Sequence, residues 1–280
     1  MRAPLLRWCL GAAGLLLLAL LALLYTPPGL RLAGRLAGPL SGGQVRVEGL
    51  GGFFPNHLHA ARLEVADSDG VWLRIEQASL SWSALALLGN HVSVGDIAAA
   101  RVTVLRRPIP SGASSGTTPR IDIGHLSLPR LDLAAPVIGR AVTLTAAGSL
   151  HYVSRHEVEA DLLVTRLGSS DRYRVAGGIA ADIAHGSVGI SEGADGILGK
   201  LINLPGLGPV NLSARASGDA AANQLAFQLS AGPLRADGHG VIALASRHAD
   251  LDITLNAPAM TPRPGMAWQA VSGEAHVHGG

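Results

Sequence analysis

Cysteine is all but missing: Cys9, inside the N-terminal apolar run, is the only one among 280 residues. The remainder of the chain can hold neither an internal disulfide nor a thiolate-bound metal. Cys9 is not a lipid-attachment residue either. Arg7-Trp8 precede it where small residues are needed, and the apolar stretch follows rather than leads it. Aromatics make up 4%, too few to fill a broad interior or to interleave with basic residues as a nucleic-acid surface requires. Charged residues reach only 15%, which excludes a solvated disordered tail and a helical bundle rich in Glu and Lys. The net charge of +2 gives no basis for anionic steering, and of the 22 basic residues only Lys200 is lysine.

Catalytic patterns are equally scarce. The stretch Gly193-Ala194-Asp195-Gly196-Ile197-Leu198-Gly199-Lys200 has the outline of a phosphate loop. Its first glycine is one residue out of place, and Leu201 stands where Ser or Thr must meet Mg²⁺. Gly-x-Ser-x-Gly occurs at Gly112–Gly116, inside the Pro/Gly/Ser loop, and at Gly189–Gly193, but neither has the strand-turn-helix setting of a nucleophile elbow, and no His-Glu-x-x-His or carboxylate pair at catalytic spacing is read. His57 and His59, and again His276 and His278, stand two apart and would share a strand face. Read along the sequence alone, neither pair is completed into a metal site. The reading is therefore non-enzymatic, with no catalytic residue, no metal, no cofactor and no nucleic-acid partner.

What is abundant is aliphatic: hydrophobic residues are 48% of the chain, with 36 glycines to turn it. Arg2 and Arg7 lead into an unbroken Leu/Ala/Gly run from Leu10 to Leu24. Counted from Leu5 to Leu24, a helix rising ~1.5 Å per residue spans about 30 Å, the hydrocarbon thickness of a bilayer. Leu5, Leu15, Leu20 and Leu24 would face lipid, and Trp8 and Tyr25 would lie at the two headgroup belts. The exit Leu23-Leu24-Tyr25-Thr26-Pro27 lacks a small-x-small cleavage site, so residues 1–26 are expected to be an uncleaved anchor. The basic bias places the N-terminus in the cytoplasm and exports the rest.

Residues 27–40 read as a juxtamembrane amphipathic helix ending before Pro39. Leu32 and Leu36 are four apart, as are Arg31 and Arg35, so the apolar and basic faces separate. From residue 41 the period becomes two. Leu63 and Val65 alternate with Glu64, and Asp67-Ser68-Asp69-Gly70 supplies hairpin chemistry. Val71, Leu73 and Ile75 follow, then Leu80 and Trp82 with parity shifted by one, which predicts a bulge near Gln77. Residues 84–88 and 197–207 suggest short helical interruptions. A Pro/Gly/Ser loop at 108–120 separates a membrane-proximal β-domain, 41–107, from a continuing β-segment, 121–280, which opens with Ile121 and Ile123. The alternation still runs at His276–Gly280, so a longer protein is expected.

Such strands carry one aliphatic face and one wet face, as in antiparallel sheets. The aliphatic face can pack on a second sheet as a sandwich, or line a groove that takes an apolar ligand such as an acyl chain. Periodicity leaves both open.

One combination goes further. The leucine-rich anchor is followed by Thr26-Pro27-Pro28-Gly29-Leu30 and Val45-Arg46-Val47-Glu48-Gly49-Leu50-Gly51-Gly52. After the Leu63–Leu73 hairpin come Leu80-Ser81-Trp82-Ser83-Ala84-Leu85 and Val102-Thr103-Val104-Leu105-Arg106-Arg107-Pro108. This run resembles the N-terminal region of the TamB (translocation and assembly module) family of AsmA-like envelope proteins, most clearly over residues 1–108. The resemblance implies a mainly β protein: an N-terminal transmembrane helix, then an elongated antiparallel β-groove (a β-taco or open half-barrel) with short helical interruptions. It implies an inner-membrane, periplasm-crossing conduit for phospholipid, whose acyl chains would contact Leu63, Val65, Val71, Leu73, Ile75, Leu80, Trp82, Ile121 and Ile123. It also implies a role in autotransporter and outer-membrane protein assembly with the barrel TamA, met by a C-terminal region outside these residues.

Overall fold

The computed structural model describes residues 26–279 apart from 84–90, 110–119, 155–156, 182, 199–205, 207, 220–221, 244–247 and 264. The expected anchor residues Leu5, Trp8, Leu15, Leu20, Leu24 and Tyr25 lie outside them, as does the turn expected at 84–88. Among the described residues no helix is long and apolar enough to cross a membrane.

The first element is helix α1 (Pro27–Leu40), begun by Pro27-Pro28 and capped by Thr26, whose Oγ1 accepts from the Gly29 amide. It does not stop before Pro39 as expected but includes it as the penultimate residue, where the proline forgoes a single amide bond to the preceding turn. The helix lays its smallest face on the sheet: Leu30 is buried, and a Cβ on Gly34 would approach that of Leu50 to 3.1 Å. Leu32, Leu36 and Leu40 point away into solvent, beside the exposed Arg31 and Arg35.

Seventeen strands follow among the described residues: β1 (Val45–Glu48), β2 (Gly51–Phe53), β3 (His57–Asp67), β4 (Gly70–Ser83), β5 (His91–Val104) and β6 (Arg120–Leu133) come first. A four-residue helix α2 (Ala135–Ile138), which the sequence pattern did not predict, leads to β7 (Val142–Ser154), β8 (Glu157–Arg166), β9 (Arg172–Ala180) and β10 (Ile183–Glu192). Then come β11 (Val210–Asp219), β12 (Asn223–Ala231), β13 (Leu234–Ala243), β14 (His248–Ala257), β15 (Met260–Arg263), β16 (Met266–Trp268) and β17 (Val271–Gly279). All but β15 and β16 join one sheet of 15 strands, in chain order, with β2 beside β1 on β3 and with β17 following β14. β1 and β17 do not pair, so the sheet stays open.

The sheet is not wholly antiparallel. β5 and β6 pair in parallel, Val92 with Ile121 through Val104 with Leu133. Alternation cannot reveal this, because both pairings present the same face. The pairing joins the strands before residue 108 to those after residue 120 in one sheet; most of the loop expected at 108–120 lies outside the described residues. The predicted Asp67–Gly70 hairpin does form. Asp67 accepts from the Asp69 amide, Gly70 takes φ +100°, and Arg106 and the Ile109 amide close onto the same carboxylate.

The parity shift at Gln77 is real, but it is not the predicted slip in pairing. β3, β4 and β5 keep one register through it, and Gln77 instead adopts φ +50°. Its neighbours shift with it. Apolar pairs in β3 (Leu58/Ala60, Leu63/Val65), β5 (Ile97/Ala99, Val102/Val104) and β6 (Leu126/Leu128, Leu131/Leu133) flank outward doublets at Ala61-Arg62, Ala100-Arg101 and Pro129-Arg130. The line of doublets is taken up at one side by a register shift between β6 and β7, and at the other by the break between β1 and β2. A left-handed conformation costs a side-chain-bearing residue about 1–2 kcal/mol. Gln77→Gly should therefore raise stability by about 1 kcal/mol, and Gln77→Val should lower it by at least as much. Urea unfolding midpoints of the full chain in detergent check this; equal effects of the two substitutions would refute the assignment.

Candidate functional site

Directly paired residues share a face, so the register turns separate alternations into rows crossing the sheet. One row leaves Leu80 and passes Ile97, Leu126, Gly148, Leu162 and Val175 on its way to Ile253 of β14. Of the sequence-predicted lining, Leu63, Val65, Leu73, Ile75, Leu80, Trp82, Ile121 and Ile123 all belong to this face. Val71 does not. A register shift between Val65 and Ala66 sets Val71 opposite Ala66, out of the Val65–Leu73 row. Sequence reading missed Ile97, Val102 and Leu126, although their alternation is equally plain.

This face has no second layer among the described residues. Beyond neighbouring strands, the most extensive packing is of α1 on β1 and β2, and at one rim Leu198 and Met260 sit on Val210 and Ala231. The fully buried apolar residues are mostly Ala and Val, such as Ala60, Ala99 and Val102, whereas Val175 is 52% and Leu162 40% exposed. An opposing sheet would have buried both. Between β3 and β6 the face holds an apolar hollow of about 410 Å³, floored by Ala60, Ala78 and Ala99 and walled by Ile75, Ile97 and Leu126. A second hollow of about 320 Å³ lies further along, at Val175, Val188 and Leu225. The opposite face carries ion pairs between strands: Arg62 with Glu48, Arg74 with Glu64 at 2.9 Å, and Arg101 with Glu76 and Asp132. Exposed pairs of this kind contribute about 0–1 kcal/mol each, so their main effect is to keep that face wet and its register fixed.

Two carboxylates are buried at one rim. Asp171 is 2% and Glu192 4% exposed. Their oxygens are already engaged. Asp171 accepts from Arg166 Nη1 and the Gly193 amide, both at 2.9 Å. Glu192 accepts from the Ile197 and Leu198 amides and from the Tyr173 hydroxyl. Arg140 and Arg166 both donate to the Asp195 carbonyl. Together they fold residues 193–198 over the rim and set Leu198 on the buried Val210 and Ala231. Residues 193–198 of the false phosphate loop are thus a peg, and the two rim carboxylates that hold it are structural. Burial raises the Asp171 pKa, but the Gly193 amide and Arg166 outweigh it and leave the pKa below the usual carboxylate range. Burial, then Glu192, hold the Tyr173 hydroxyl far above its ordinary value.

His57 and His59 face Ser81 and Ser79 with no carboxylate across from them, whereas His276 and His278 face Asp252 and Asp250 of β14. No protein-family model, curated protein or solved structure matches the chain. What the geometry defines is a class: an open, mainly β sheet with few helices, one face aliphatic and one face ionic.

Because the Asp171 pKa is lowered in the folded state, its contribution is complete above about pH 4 and fades as pH falls below that range. Asp171→Ala should lower stability by about 1–3 kcal/mol at pH 7. The deficit should shrink towards pH 3, as melting curves across that range would show.

Proposed function

We propose that this chain is a non-enzymatic, inner-membrane-anchored periplasmic protein of the TamB/AsmA-like type. In this reading it moves phospholipid between the inner and outer membranes along its aliphatic face. The observation that carries the reading is an apolar surface reaching from β3 to β14 that, apart from Leu198 and Met260 over Val210 and Ala231 at one rim, no second layer of the described chain covers. Water against such a surface is costly. An acyl chain laid on it gains about 0.8 kcal/mol for each methylene removed from water. The hollow of about 410 Å³ is of ligand size. In this proposal the open sheet forms a groove, with the rows of Leu, Ile and Val as its lining.

The anchoring rests on the apolar run from Leu5 to Leu24 and is supported by α1. The outward stripe Leu32–Leu36–Leu40, beside Arg31 and Arg35, suits a helix lying at a bilayer surface where the chain leaves it. No phosphate-binding motif was found, so energy for directional movement would come from another component.

Photo-crosslinking in cells tests the conduit. Probes at Leu73 and Ile123 should capture phospholipid several-fold more than probes at the outward neighbours Arg74 and Asp122. Equal labelling would remove the basis for transport. A scaffold role in outer-membrane protein assembly is favoured by one feature, the β17 edge, where every described residue is exposed. If probes on β17 trap polypeptide while lipid transfer is unchanged in a deletion strain, that second reading takes precedence.

A further inference from the structure

The last hairpin of the sheet gathers a second kind of chemistry on its wet face. β14 and β17 pair antiparallel, with Asp250 opposite His278 and Asp252 opposite His276. His276 is held from both sides: its Nδ1 lies 2.7 Å from Asp252 Oδ1 and its Nε2 3.2 Å from Asp250 Oδ1. His278 Nδ1 lies 3.9 Å from the other oxygen of Asp250. One ligand atom each from Asp250, His276 and His278 falls within 4.8 Å of the others. The ring of His248 stands edge-on to His278, centroids 4.5 Å apart. All these side chains are accessible, with Asp250, His276 and His278 about half exposed or more.

We infer that Asp250, His276 and His278 form a binding site for a divalent transition-metal ion of the zinc class. The donor set is two imidazoles and one carboxylate, the chemistry preferred by Zn²⁺ and its neighbours rather than by Ca²⁺ or Mg²⁺. In a tetrahedral zinc site, with bonds of about 2.0–2.2 Å, the donor atoms stand about 3.3–3.5 Å apart. The Nε2–Oδ1 separation of 3.2 Å in His276–Asp250 is already at that spacing, and His278 needs only a side-chain rotation to join. Asp252 would remain on His276 Nδ1, fixing the tautomer that leaves Nε2 free for the metal, as carboxylate–histidine–metal triads do. His248 or water would take the fourth position. Two strands supply the ligands, so the ion would clamp the exposed β17 to β14. The bland alternative is a set of imidazolium–carboxylate pairs with no metal.

The test uses the full chain in detergent, purified without a histidine tag and freed of metal by chelator. Titration with Zn²⁺ against a chromophoric chelator at pH 7.5 should show one saturable site of micromolar or better affinity. Co²⁺ should give the visible absorption of tetrahedral coordination. His276→Ala and Asp250→Asn should each weaken Zn²⁺ binding at least tenfold, whereas His151→Ala on β7 should leave it unchanged. Circular dichroism confirms that the variants fold, as surface substitutions should allow. Absence of saturable uptake at 100-fold excess over a micromolar constant would overturn the site. Equal affinity in wild type and His276→Ala would do the same.

Discussion

The structure depends on the backbone ladder between neighbouring strands. A protein with two packed layers holds its strands by burying one face against another. Here the described chain has no second layer, and each strand from β3 to β14 relies on the hydrogen bonds and same-face side chains of the strands beside it. Such an arrangement stands only while every strand keeps its register, which explains why the fixed points are local. Among them are the Asp67 carboxylate drawing Arg106 and Ile109 onto the first long hairpin, the ionic pairs on the wet face, and the peg at the Asp171–Glu192 rim. Gly238 belongs to the same economy. A Cβ there would meet the Phe227 ring at 2.5 Å, so the missing side chain leaves room for one of the few aromatics.

The two ends of the sheet differ. At the first, β1 and β2 are overlaid by α1, which presents Gly34 and the buried Leu30 to them. At the other, β17 exposes all nine residues and carries the histidines.

Most strands were legible because period-two alternation is written directly in Leu63/Val65, Leu73/Ile75 and Ile121/Ile123. The hairpin at Asp67–Gly70 was legible because its turn chemistry is local. What depends on pairing was not. The parallel union of β5 and β6 leaves no mark on either strand alone, and Val71 was misplaced because its face is decided by a register shift with Ala66. The surroundings of His276 and His278 were not legible for the same reason. Their carboxylates lie some 25 residues back along the chain but directly across the ladder, as His276 and Asp252 show. Gln77 was the intermediate case: the sequence displayed the change of parity, yet only the backbone revealed that neighbouring strands turn over together.

That shared turning-over restricts how the protein can vary in length. Deleting one residue from β4 near Gln77 would carry the aliphatic side chains of half a strand to the ionic side, against both β3 and β5, which would still present theirs to the other. No adjustment within the altered strand could restore the match. Lineages descended from this molecule should therefore gain or lose length there by whole hairpins, and single-residue gaps should gather in the connections instead.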